Sequence, residues 1–204
     1  MRKTFLILIS IFLISCYSKS EKITENGNYE NGVYTCNKFD WKIKVPKGYS
    51  IRTIQQEDDL EKIGYEALEK ETIDGIGIKK NPPHLIAFGI DDLNNFSATF
   101  ESLIGTERMS IDEHQKFVAN LISKTYSNVK EIEFEKKLST ENIGKYNFYK
   151  IQFKLYSEKT KELFLTQVIY NTYIEDNLFS ASINYSNEKV NEDLTENFKN
   201  SLSE

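Results

Sequence analysis

The chain has 204 residues, a net charge of −5, 39% hydrophobic and 28% charged residues, and three prolines. That composition belongs to one ordinary globular domain and excludes collagen-like and intrinsically disordered chains. Arg52 and Arg108 are the only arginines apart from Arg2. With so few guanidinium forks, an acidic balance and no lysine-rich face, the chain speaks against nucleic acid as a partner.

The N-terminus reads Met1-Arg2-Lys3-Thr4, then an apolar run from Phe5 to Ser15 interrupted only by Ser10, then Cys16. A helix over that run rises about 16 Å against about 30 Å of hydrocarbon core, too short to span comfortably. The layout predicts a signal peptide over 1–15 that is removed on export. Leu13-Ile14-Ser15-Cys16 resembles the lipobox of bacterial lipoproteins, in which a small residue precedes a cysteine. That resemblance implies a diacylglycerol on the sulfur of Cys16, cleavage just before it, and a mature chain held to a bacterial membrane by acyl chains such as palmitate. One acyl chain binds a membrane marginally, whereas two or more hold a protein stably. The implied location is the cell envelope; Tyr17 does not resemble the aspartate of an inner-membrane retention signal, and the choice between inner and outer membrane stays open.

Residues 16–32 are rich in Ser, Lys, Glu, Asn and Gly, with Tyr17, Ile23 and Tyr29 as the sizeable apolar groups. Such a segment buries too little to offset its ordering entropy, and a flexible tether reaching about 20 Å is expected. A single domain is expected over 33–204.

In that domain Phe39, Trp41, Ile43 and Val45 alternate with Asp40, Lys42 and Lys44, the pattern of a half-buried strand. Pro46-Lys47-Gly48 ends it, and a second strand is predicted over Tyr49 to Ile54. Leu60, Ile63, Gly64, Ala67 and Leu68 change the period to that of an amphipathic helix over Gln55 to Thr72. Asp74-Gly75, Gly77 and Pro82-Pro83 predict a loop through Pro83, followed by a strand over Leu85 to Phe88 paired with Phe96 to Ile104. Ser110-Ile111-Asp112-Glu113 has capping-box spacing, and Ile111, His114, Phe117, Val118, Leu121, Ile122 and Thr125 form one stripe of a helix. Strands are predicted over Lys130 to Leu138, Tyr146 to Tyr156, Leu163 to Ile174 and Leu178 to Tyr185. A closing helix over Asn187 to Leu202 carries Val190, Leu194, Phe198 and Leu202 inward.

This order gives an α+β domain, an antiparallel β-sheet flanked by helices. The run Phe39 to Tyr49, the helix Ser110 to Tyr126, the segment Gly144-Lys145-Tyr146-Asn147-Phe148-Tyr149 and the turn at Asp176-Asn177-Leu178-Phe179 together resemble the PsbP-like fold. The resemblance covers most of residues 33–204 and implies an α/β/α sandwich. The stretch from Gln55 to Pro83 departs from the family's shorter route. Members of the family are mostly non-enzymatic accessory proteins that stabilise or help assemble larger complexes, several of them at a membrane.

The residues themselves carry no recognisable catalytic constellation. There is no Gly-x-Ser-x-Gly elbow, and the two histidines, His84 in a loop after Pro83 and His114 in the helix stripe, stand far from each other and from Cys36. No metal, cofactor or catalytic site is expected. Cys36 is the lone thiol once Cys16 is acylated, so no internal disulfide forms, and it reads as a small buried apolar group. Asp91-Asp92-Leu93-Asn94-Asn95 lacks the alternate oxygen ligands and glycine of a calcium loop and reads as a turn.

Asp58, Asp59, Glu61, Glu66, Glu69 and Glu71 make helix 57–72 acidic, either a solvated face or a docking surface for a basic partner. Tyr146, Phe148, Tyr149, Phe153 and Tyr156 occupy both faces of one strand, either as core or, for exposed tyrosines, as a binding platform. The leading expectation is a membrane-anchored, non-enzymatic accessory or binding module for another envelope protein. The alternatives are a small-ligand carrier with a pocket between sheet and helix, and a hydrolase using two of Glu133, Glu135 and Glu141. The anchor has a direct test: Cys16→Ala is expected to abolish fatty-acid labelling and leave uncleaved precursor, and normal labelling of that variant removes the basis for a lipid attachment at Cys16.

Overall fold

The computed structural model describes residues 26–66, 83–105 and 109–203. The signal peptide expected over 1–15, Cys16, the first part of the expected tether, and the expected helix and loop from residue 67 to residue 82 lie outside them. Regular structure begins with a hairpin of β1 (Gly27–Glu30) and β2 (Val33–Cys36), in antiparallel register with Tyr29 opposite Tyr34. Asn31 and Gly32 join them at φ 52° and 82°, the positive-φ pair that two-residue hairpins demand. This shortens the tether expected over 16–32: its last residues, 27–32, pair because Asn31-Gly32 is a strong turn signal and Tyr29 packs against the core.

The alternation from Phe39 to Val45 is visible in burial, with Trp41, Ile43 and Val45 inside and Lys42 and Lys44 exposed. Only β3 (Lys42–Lys44) is paired there, against β2, completing a three-stranded sheet. The strand expected over Tyr49 to Ile54 is reduced to β4 (Ser50–Ile51), because α1 (Ile54–Glu66) already starts at Ile54. Then come β5 (His84–Gly89), β6 (Asn95–Ser102), α2 (Ile111–Ser127), β7 (Ile132–Ile143), β8 (Tyr146–Ser157), β9 (Leu163–Ile174), β10 (Asn177–Tyr185) and α3 (Glu188–Asn200).

Seven of these strands form one antiparallel sheet in the order β4-β5-β6-β10-β9-β8-β7. The meander β7 to β10 folds back on itself, β10 docks against β6, and α2 carries the chain from β6 to the far edge at β7. Helices lie on both faces, so the α+β sandwich expected from the order of elements is the fold observed.

The meander works because strand side chains alternate. On β8, Phe148 enters one core, and Ile151, Phe153 and Leu155 enter the other. The first core joins the small sheet and α3 to the large sheet through Trp41, Phe88, Phe96, Tyr170, Phe179 and Phe198. Phe198 is fully buried, with its ring 5.1 Å from Tyr170, 5.7 Å from Phe148 and 5.9 Å from Phe96. Trp41 Nε1 donates to Ser201 Oγ at 2.8 Å, tying the small sheet to the end of α3.

The second core seats α2 through Ala119, Val118, Ile122 and Tyr126. Both halves of its capping box are made: Glu113 N donates to Ser110 Oγ at 3.2 Å, and Ser110 N donates to Glu113 Oε2 at 2.9 Å. The buried Gln115 donates its amide to the carbonyls of Ser139 and Lys150, both at 3.1 Å, fixing the helix across β7 and β8. Between β7 and β8, Gly144 lies at φ 55°, where an added Cβ would overlap the Leu202 carbonyl.

Phe198→Ala is expected to destabilise the domain by about 3–5 kcal/mol, since the surrounding rings belong to four strands and cannot close the void. Equilibrium urea unfolding checks this, and a loss under about 1 kcal/mol would show that the ring does not seat α3.

Candidate functional site

A cleft of about 640 Å³ lies at the outer edge of the sheet. It is lined by Ser127 at the end of α2, by Ile132, Glu133, Phe134 and Glu135 at the start of β7, by Tyr156 of β8 and by Lys161. Alternation along β7 places Ile132 and Phe134 toward the α2 core and Glu133 and Glu135 toward the opposite face. Each glutamate has a partner: Lys161 Nζ donates to Glu133 Oε1 at 2.6 Å, and Tyr156 Oη donates to Glu135 Oε2 at 3.1 Å. The Glu135 charge and desolvation raise the pKa of the Tyr156 hydroxyl, desolvation contributing most.

Glu141 lies six residues beyond Glu135 on the same strand, about 20 Å away at the rise of an extended chain. That separation exceeds what two carboxylates need to act across one bond. Glu141 instead takes an ion pair from Lys150 of β8 at 3.1 Å and another from Lys199 of α3. Burial pushes its carboxyl up, but the hydrogen bonds and charges of Lys199 and Lys150 outweigh this and hold it below its ordinary value. The same carboxylate faces Tyr170, whose hydroxyl is driven far up, chiefly by burial. Thus Glu133 and Glu135 share a cleft, while Glu141 belongs to a latch joining β7, β8 and α3.

The other residues singled out in the sequence are dispersed. His84 is not in a loop: it opens β5, buried opposite Thr99, with Nε2 3.9 Å from Asp58 of α1. Proline at 82 and 83 signals a break, but pairing with β6 begins at once after it. His114 is half-buried on α2, its ring centre 6.5 Å from that of Tyr173, and burial lowers its pKa. Cys36 is a buried free thiol. Among the described residues, no group of three His, Cys, Asp or Glu side chains is arranged to hold a metal ion.

Asp91 forms the expected turn, its Oδ1 accepting from the backbone of Leu93 at 2.9 Å and of Asn94 at 2.8 Å. Asn94 Oδ1 in turn accepts from Ser186 N at 2.9 Å, locking this turn to the start of α3. The tyrosines do not make one platform. Tyr146 and Tyr156 point to one face of β8 from positions about 33 Å apart, and Tyr149 points to the other.

Sequence reading missed two charged assemblies. One is the latch on Glu141. The other is a clamp on the side chain of Arg52, which donates to Glu57 Oε1 at 3.5 Å, the Asp91 carbonyl at 3.1 Å and Asp92 Oδ1 at 3.3 Å. It joins the start of the acidic helix to the β5–β6 turn beside a smaller cleft of about 250 Å³ lined by Gln56, Asp59 and Leu60. The scarcity of arginine was the one available sign that Arg52 has a fixed position.

With the geometry in hand, comparison with solved structures gives an informative likeness. The solution structure of cyanobacterial PsbP (CyanoP) from Synechocystis sp. PCC 6803 superposes with a TM-score of 0.51 at 8% identity, covering 88% of this chain and 94% of that one. The fold is PsbP-like. No family model matches the chain, and no curated protein matches it. At this identity the likeness concerns fold alone.

The latch has a pH signature. Because Glu141 is held below its ordinary pKa of 4.5, its contribution is fully present above that pH and is lost as pH falls through the lower folded value. Glu141→Gln is expected to lower the urea midpoint at neutral pH and to flatten its decline in acid. An unchanged acid limb would assign that decline to other carboxylates.

Proposed function

We propose that this protein is a lipid-anchored envelope lipoprotein whose domain serves as a non-enzymatic accessory or binding module for another envelope protein. The observation that carries the reading is the N-terminal sequence itself, two basic residues, a short apolar run and Leu13-Ile14-Ser15-Cys16. The acyl chains on Cys16 are the contact with the membrane. Among the described residues no helix is long and apolar enough to cross a membrane, so the lipid is the attachment this reading relies on.

The chemistry of the surface supports a binding role. Glu133, Glu135 and Glu141, the carboxylates considered for hydrolysis, are each engaged by a lysine or a tyrosine. The space between the large sheet and its helices is filled by Phe148, Tyr170 and Phe198 on one side and Phe153 and Tyr126 on the other, which disfavours a carrier pocket there. The edge cleft combines an apolar floor, Ile132 and Phe134, with a charged rim of Glu133, Glu135 and Lys161. A protein surface with an apolar centre and polar margin fits such a place.

In-cell crosslinking followed by purification of the acylated protein is expected to recover one discrete envelope protein. Its yield should fall when Phe134→Glu places a third carboxylate at the cleft. Recovery of the monomer alone across growth conditions would overturn the accessory reading.

A further inference from the structure

We infer that the end of the domain carrying Ile104 and Met109 is the end that touches the lipid surface. The inference rests on the anchor at Cys16 and adds to it an orientation and a contact.

The folded chain begins at that end. Asn37 N donates to the Asn26 carbonyl at 2.8 Å, and Gly27 pairs with Cys36. Two residues past Asn37, the ring of Phe39 stacks on Phe100 at 4.9 Å and meets Phe179 edge-on at 5.2 Å. Phe100 is near the close of β6, and Phe179 is near the opening of β10. The tether therefore leaves the domain where β6 runs out.

At the same end stands the largest apolar exposure among the described residues. Leu103 N donates to the Asp176 carbonyl at 2.9 Å, which fixes the chain just before Ile104. Ile104 is 77% exposed, and Met109 is 45% exposed. Tyr173 Oη donates to the Met109 carbonyl at 2.9 Å, holding it beside the last turn of the meander.

Tether length selects the partner. Asn26 lies ten positions after Cys16, which sets an outer limit of about 35 Å on the distance between them. The two ends of β6, with eight residues, lie about 27 Å apart, which takes up most of that limit. Ile90 and Leu93, the apolar pair in the β5–β6 turn at the far end of β6, sit beside Asp91 and Asp92 and would meet the bilayer only with the segment before Asn26 drawn out nearly straight.

Charges near Ile104 are mixed, with Lys38 and Lys145 exposed beside Asp40 and Asp176. The contact is therefore apolar, and salt does not disrupt it. One isoleucine and one methionine bind lipid weakly alone, but the anchor raises their local concentration at the bilayer and makes that contact orienting.

The test uses the acylated full chain in vesicles of phosphatidylethanolamine and phosphatidylglycerol. Ile104→Cys, Met109→Cys and Leu93→Cys are each labelled with a polarity-sensitive thiol dye. The parent protein, whose Cys36 is buried and whose Cys16 is acylated, is the unlabelled background. The dye at 104 or 109 is expected to shift to the blue and to be quenched by brominated lipid, equally at low and high salt, while the dye at 93 stays unshifted.

Three results overturn the inference: water-like emission at both 104 and 109, a shift at 93 instead, or a blue shift without bromolipid quenching, which would mean that protein covers the site. Intact mass separates this from the anchor. Acylated protein with water-like dye at 104 and 109 overturns the orientation alone, whereas protein lacking the acyl group overturns both readings.

Discussion

Everything in this fold follows from burying β8 and β9 between two layers. A strand in the middle of a covered sheet must supply apolar groups to both sides, and β8 does so with Phe148 on one and Ile151, Phe153 and Leu155 on the other. Neither core is closed by the sheet alone. One needs α3 and the three-stranded sheet, with Trp41 and Phe198 between them; the other needs α2. Each layer removes apolar area from water at about 25 cal/mol per Å², so loss of one layer exposes the shared strands of the other. The chain therefore folds as one unit although it has two cores.

Polar contacts then set angles and positions. Gln115 spans two strand carbonyls, Arg52 spans α1 and the β5–β6 turn, and Glu141 spans β7, β8 and α3. Each connects elements distant in sequence, and each is partly shielded, so its charges and dipoles are screened less than those of an exposed pair. The edge cleft occupies the part of β7 before the latch, where, among the described residues, Glu133 reaches Lys161 and Glu135 reaches Tyr156.

Elements with local signals were legible: the capping box of Ser110 and Glu113, the four-residue spacing of Val190, Leu194 and Phe198, and the alternation around Trp41. What escaped was nonlocal. The β1–β2 hairpin is polar and reads as a tether until Asn31-Gly32 is given its weight as a turn. His84 follows two prolines, yet its burial comes from β6 and α1. The strand β7 continues to Ile143 through Ser139-Thr140-Glu141-Asn142, a stretch without apolar signal that is held by its register with β8. Glu141 looked like any other carboxylate because its two lysines arrive from different elements. The resemblance of Leu13-Ile14-Ser15-Cys16 to a lipobox is legible only as sequence, since Cys16 lies outside the described residues.

The outer strand β7 has one further consequence. Its twelve residues border the sheet with hydrogen-bonding groups on their outward side, and such a margin invites another strand to join. Confined to a bilayer, copies of this domain would meet in two dimensions, side by side and at high local density. Lys136 and Lys137 in the middle of that margin, with Glu133 and Glu135 before them, place like charges against one another whenever two copies approach in matched register. If the domain is anchored as proposed, crowding on the membrane would end in repulsion rather than in a growing ribbon of joined sheets.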